Sequence, residues 1–226
     1  MIVAIDGPAG AGKSTAARLL ATRLGFMLLD TGAIYRVMAL QARERGIRWD
    51  DGPGVAALAP ELELSFRLEG SQNRVLLGGA NGSTDVSSAI RTPEISEGAS
   101  RVSALPEVRA ALLGLQRRIG AAGPVVVEGR DIGTVVFPDA EVKFFLTASA
   151  DERARRRVAE LAAAGRPADP VQTRAELVAR DERDSTRAAA PLRKADDAIE
   201  IDSSALNVDQ VVDRMAAVVE GRAGWR

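Results

Sequence analysis

The sequence predicts an α/β protein: a five-stranded parallel sheet with helices on both faces, an insert built on a small antiparallel sheet, and a short helical lid. Three observations lead there. Five short apolar runs, "IVAI" (2–5), "FMLL" (26–29), "VVV" (125–127), "VKFFL" (142–146) and "AIEI" (198–201), are separated by helix-like segments, the pattern of strands covered on both faces. A glycine-rich turn, "GPAGAGKST" (7–15), joins the first run to a helix pattern. Between the second and third runs, "LELSFRLEGSQNRVLLGG" alternates Leu62, Leu64, Phe66 and Leu68 with polar residues before a Gly-Ser-Gln-Asn turn, which is a hairpin signature.

Taken in order, Lys13 to Leu24 carries Ala17, Leu20 and Leu24 at helical spacing and stops at Gly25. The hairpin places the insert sheet at roughly 60–90, followed by helix to about 119. After the fourth run, Ser149 and Glu152 have capping-box spacing, and Gly165 with Pro167 end the helix they open, which marks a flap. Val208, Val211, Val212, Met215, Val218 and Val219 form the apolar stripe of a final helix. The expected organisation is core at 1–33, an acceptor-binding region at 34–119, core at 120–150, lid at 151–170 and core at 171–226.

Composition narrows the chemistry. The 226 residues include no cysteine and no histidine, so disulfides, thiolate metal sites and imidazole or thiol catalysis fall away. A formal charge of −1 gives no global field for nucleic acid or an anionic membrane, so neither is expected as a partner. No run approaches the ~18 apolar residues of a membrane span. The first strand starts too early for a secretion signal, so a cytoplasmic monomer is expected. Lysine occurs only at positions 13, 143 and 194, which makes the lysine of the glycine-rich turn conspicuous.

Gly7-x-x-x-x-Gly12-Lys13-Ser14 matches the P-loop pattern, after a strand and opening a helix, and predicts a P-loop NTPase core. Gly7, Pro8, Ala9, Gly10, Ala11, Gly12, Lys13, Ser14 and Thr15 would cradle the donor phosphates, with Lys13 on the β/γ-phosphates and Ser14 on Mg²⁺. A GTPase would need Asn-Lys-x-Asp, and none of Asn73, Asn81 and Asn207 precedes a lysine. A small kinase using ATP·Mg²⁺ remains. A nucleoside monophosphate is an acceptor whose phosphate is largely ionised at neutral pH (second pKa near ~6), so positioning and charge neutralisation replace a base.

"LLDTGAIYR" (28–36) and "VVVEGRDIGTVVFPDA" (125–140) deliver Thr31, Tyr35, Arg36, Glu128, Arg130 and Asp131 to the carboxyl edge of the sheet, where ligands gather in such folds. These motifs, with "RDERDSTRAAAPL" and the P-loop, resemble the bacterial cytidylate kinases in order along essentially the whole chain. The resemblance implies transfer of the ATP γ-phosphoryl group to CMP or dCMP with Mg²⁺. It implies that Thr31, Tyr35, Arg36 and Arg130 handle the CMP phosphate, that Ser100, Arg109, Asp131 and Arg187 read the base, and that Arg180 and Asp184 meet the ribose. Thr31 stands where a serine is common and Glu128 where an aspartate also occurs, which keeps the hydroxyl and the charge.

A carboxylate accepts from the exocyclic amine of cytosine, whereas uracil would present a carbonyl to it. Arg180, Asp184 and Arg187 are spaced to share a helix face, which without the resemblance reads as a solvated ion-pair stripe. On the flap, Arg153 and Arg157 are expected to reach the transferring group, with Arg156 paired to Glu160 on the outer face. Two rivals stay open from the residues: a kinase of another small acceptor, such as UMP or a metabolite hydroxyl, and a non-catalytic nucleotide-binding module. Trp225 suggests no role.

Overall fold

The computed structural model describes residues 1–70, 72–78, 82–163 and 165–222; Trp225 lies outside them. In order come β1 (Ile2–Asp6), α1 (Lys13–Leu24), β2 (Met27–Asp30), α2 (Thr31–Glu44), α3 (Gly52–Ala56), β3 (Leu64–Glu69), β4 (Gln72–Leu77) and β5 (Thr84–Asp85). Then follow α4 (Pro93–Val102), α5 (Pro106–Gly120), β6 (Val125–Glu128), β7 (Val142–Thr147), α6 (Ala150–Ala163), α7 (Pro170–Thr186), β8 (Ile199–Asp202) and α8 (Val208–Glu220). Among the described residues no helix is long and apolar enough to cross a membrane.

The five apolar runs form one parallel sheet in the order β2-β6-β1-β7-β8. Alternate residues of each strand serve opposite faces. Val3, Ile5, Val126, Phe144 and Leu146 pack with Ala17 and Leu20 of α1 and Val211, Val212 and Met215 of α8. Ala4, Leu29 and Val127 pack on the other face with Ile34 and Met38 of α2 and Val108 and Leu112 of α5. Each fully buried aliphatic side chain of this kind contributes about 1.5–3 kcal/mol. The register matters for the site: Asp30 lies opposite Glu128, and Ile5 opposite Glu128, so Asp6, Asp30 and Glu128 end at one edge.

The insert is the antiparallel sheet β3-β4-β5, with Phe66 opposite Val75 and Leu68 opposite Asn73. The helical stretch expected to run to about 119 is two helices, α4 and α5, parted at Ser103–Leu105. Pro106 explains the break, because the residue before a proline is driven out of helical geometry; Leu105 sits at φ −82°, ψ 121°. The stretch expected as a lid, 151–170, carries most of α6 and the first residue of α7. Ser149 Oγ accepts from the Glu152 N–H (3.2 Å), but the reciprocal arm of the expected capping box is missing, because the Glu152 carboxylate pairs with Arg155 and Arg156. Gly165, at φ +70°, ends the α6 segment as expected.

Candidate active site

The glycine-rich turn crosses the carboxyl end of the sheet so closely that only glycine fits at its start. A Cβ on Gly7, at φ +145°, would stand 2.0 Å from the Leu146 carbonyl oxygen of β7. Gly12, also left-handed at φ +92°, starts α1 without a side-chain cap, so the first N–H groups of that helix stay available. Lys13 is buried and its Nζ rests on the Pro8 carbonyl at 2.6 Å. Burial, with the Arg130 charge nearby, lowers the Lys13 amine well below its ordinary value, so an anion at this place would be strongly welcomed.

Ser14 Oγ donates to Glu128 Oε2 (2.8 Å), and Thr31 Oγ1 donates to the Glu128 carbonyl (2.8 Å). Burial, reinforced by Asp30, raises the Glu128 carboxyl to about 7. Asp30 caps α2 by accepting from the Ala33 N–H and pairs with Arg36 at 3.5 Å.

The glycine-rich turn, the β2–α2 junction and the segment after β6 line one cavity of about 590 Å³. Ala9, Gly10, Gly12, Lys13, Ser14 and Thr15 of the glycine-rich turn line one side of it, and Gly7, Pro8 and Ala11 of the same turn do not line it. Thr31, Tyr35, Arg36 and Arg130 line the other side. Beyond them Asp131 is held by two guanidinium groups, Arg109 in a tight pair and Arg187 at 3.4 Å, all three nearly buried. Arg109 also stacks over the Tyr35 ring, 5.5 Å from its centre, and donates to the Ser103 carbonyl (3.1 Å). Arg130 donates to Asp184 Oδ2 at 2.9 Å. The Nε of Arg180 is buried with no hydrogen-bond partner among the described residues, and burial together with Arg130 lowers the Arg180 guanidinium to about 10.

A family model described as cytidylate kinase matches residues 3–221. The cytidylate kinase of Syntrophotalea carbinolica is 54% identical over 222 residues, covering 98% of this chain and 93% of that protein. The cytidylate kinase of Corynebacterium glutamicum is 50% identical over 224 residues, covering 99% of this chain and 96% of that protein. The chain belongs to the cytidylate kinase family.

Among the site residues expected beyond the glycine-rich turn, two stand apart from the main cavity, Ser100 and Arg153. Ser100 lines an adjoining cavity of about 410 Å³, shared with Trp49, Ser103, Asp184 and Arg187. Arg153 has its guanidinium behind the glycine-rich turn, bonded to the carbonyls of Ala9 (3.0 Å) and Ala148 (3.0 Å) and paired with Asp181. Arg157 does line the cavity and pairs with Glu160 at 2.9 Å.

The expected Arg156–Glu160 pair is therefore replaced. Arg156, three residues after Arg153, shares its inward face; it lines the cavity and binds the Ser203 carbonyl (2.6 Å), Ser203 Oγ (3.0 Å) and Glu152. Arg156, Ser96, Ser103 and Asp30 are cavity residues that sequence reasoning did not name as site residues. The i−4 carboxylate, Glu152, was the available signal that Arg156 turns toward the glycine-rich turn.

Proposed function

We propose that the protein transfers the γ-phosphoryl group of ATP to CMP and dCMP, giving CDP and dCDP. One observation carries this reading beyond family membership: a single cavity joins the Lys13–Ser14 loop to the Asp131–Arg109–Arg187 cluster, so a donor phosphate and a pyrimidine nucleotide can meet across Arg130.

The site needs no base. The attacking oxygen belongs to a phosphate that is largely ionised at neutral pH, so its nucleophile is ready once both partners are aligned. Thr31, Tyr35, Arg36 and Arg130 would hold that phosphate, and the unpartnered Nε of Arg180 gives it a further cation. Lys13 and the N–H groups of the loop would take up the charge that develops on the donor phosphates. Asp131 would accept from the exocyclic amine of cytosine, with Arg109, Arg187 and Ser100 around the base. Arg180 and Asp184 would meet the ribose.

Mg²⁺ suits the donors present. They are oxygens only, and among the described residues no cluster of three or more acidic side chains forms a dedicated cage, which fits an ion held by one or two protein groups and by phosphates. Ser14 already directs its O–H to Glu128, leaving its lone pairs free for a cation, so Ser14, backed by Glu128, would hold Mg²⁺. When bound, the ion neutralises charge on the donor phosphates.

Residues 151–170 would act as a lid, Arg157 moving onto the transferring group as water is excluded, while Arg153, expected to join it, braces the glycine-rich turn from behind through the Ala9 carbonyl. Residues 34–119 would be the acceptor-binding region, and the remainder the core.

A panel of CMP, dCMP, UMP, AMP and GMP with ATP·Mg²⁺, read by chromatography of the products, tests this reading. CDP and dCDP should dominate. Preference for UMP or another acceptor would replace the substrate assignment, and ATP binding with no acceptor-dependent ADP would replace the enzyme assignment.

A further inference from the structure

The residue assigned above to base reading, Asp131, begins a single π-helical turn, Ile132–Val136. A residue in that position, with its short acidic side chain, would ordinarily accept from the free N–H groups of the turn it opens. Asp131 does not: its side chain makes no capping bond, because both carboxylate oxygens face arginines, Arg109 and Arg187. The orphaned N–H groups of Ile132 and Gly133 are instead satisfied from the far end of the chain. Each donates to one oxygen of the Asp6 carboxylate, at 2.8 Å and 2.8 Å.

Asp6 is the last residue of the central strand β1 and is 4% exposed. Burial raises its carboxyl to about 6, while the two N–H donors, one to each oxygen, favour the charged form. The approach is close enough that a Cβ on Gly133 would stand 3.0 Å from Lys143 Cδ and 3.5 Å from Asp6 Oδ2. The other end of the turn is held too, since Arg117 of α5 donates to the carbonyls of Val136 (2.9 Å) and Val135 (3.0 Å). An anion at the N–H end and a cation at the C=O end complement the dipole of the turn. Arg117 and Arg109 sit on the same helix, so α5 grips both the turn and the carboxylate that precedes it.

We infer that Asp6 is a positioning residue for acceptor recognition: it caps the turn in place of Asp131, which leaves the Asp131 carboxylate free to be aimed at the base. This rests on the base-reading role given to Asp131, and it assigns to the strand residue before the glycine-rich turn a task on the acceptor side. An amide at position 6 can accept only one of the two N–H groups and would set its NH₂ against the other, so Arg130 and Asp131 would lose their fixed placement.

The test uses purified Asp6→Asn, Asp131→Ala and the double variant, with kcat and KM for CMP and UMP at saturating ATP·Mg²⁺, KM for ATP, and melting temperature as a folding check. Asp6→Asn should lower the CMP-to-UMP ratio of kcat/KM by about tenfold, mostly through KM for CMP, with KM for ATP within about twofold, as small misplacements of positioning groups do. In the Asp131→Ala background the same substitution should not change the ratio further. An unchanged ratio in a folded Asp6→Asn protein, or a loss that adds fully to that of Asp131→Ala, overturns the inference; a raised KM for ATP with the ratio intact does so as well. If Asp6→Asn does not fold, Arg117→Met, at an exposed position, loosens the same turn and should lower the ratio too; no change there is equally contrary. Should Asp131→Ala alone leave the ratio intact, the base-reading role itself fails, whatever Asp6 does.

Discussion

Replacing Asp131 by asparagine changes one atom's chemistry at a position where the neighbours are fixed. A carboxylate offers about four lone-pair sites. Two are directed to arginines, to Arg109 in the tight pair and to Arg187 at 3.4 Å, and the others remain for a ligand. Both neighbours are cations, so the amide of Asp131→Asn keeps its oxygen on Arg109, the tight pair, and sets its NH₂ where the oxygen facing Arg187 stood, at the cavity wall. Cytosine then meets a donor where it needs an acceptor, whereas the uracil carbonyl finds the donor it lacked.

A hydrogen bond to a charged group contributes about 1.5–3 kcal/mol, which for CMP is roughly a 10- to 150-fold loss in kcat/KM. UMP should gain at the same time, so the CMP-to-UMP ratio is expected to fall by about 10²-fold or more. Coupled ADP assays with each acceptor at saturating ATP·Mg²⁺ measure it, below the melting temperature of the variant. Equal losses for CMP and UMP would refute the reasoning, because they would make Asp131 a structural partner of Arg109 and Arg187 and nothing else.

Three other expectations follow from the same geometry. Lys13→Ala should cut kcat by about 10³-fold while calorimetry finds CMP affinity nearly unchanged, since Lys13 faces the donor side. Arg180→Met should raise the melting temperature of the ligand-free protein, because a buried cation with its value lowered to about 10 is disfavoured by folding, and should weaken CMP binding; a fall in both is the contrary result. Glu128, raised to about 7, binds its proton more tightly folded than unfolded, so the stability it contributes is lost as pH rises from its ordinary range through about 7. The melting temperature of Glu128→Gln relative to the parent should therefore increase between pH 5 and pH 8, as scanning fluorimetry would read.

Most of the sheet was legible because its strands are buried on both faces and so appear as unbroken apolar runs. The hairpin was legible for the opposite reason: Leu64, Phe66 and Leu68 bury only one face. The break between α4 and α5 was encoded by Pro106, and reading through it merged two helices. On the lid, consecutive arginines share no hydrophobic contrast, so their phase had to come from their partners; Glu152 takes Arg156 inward and Glu160 takes Arg157. The capping of the turn after Asp131 by Asp6 spans 126 positions and leaves no local pattern, since the carboxylate and the N–H groups meet only when β1 and β6 pair.

The account depends on donor and acceptor phosphates meeting at the carboxyl edge of the sheet. A crystal structure with CMP and a non-hydrolysable ATP analogue measures this most directly. The CMP phosphate should lie within hydrogen-bonding distance of Arg36 and Arg130, with the cytosine amine on Asp131 and the donor phosphates on Lys13. CMP bound away from Arg36 and Arg130, or facing Asp131 with its phosphate, would contradict it.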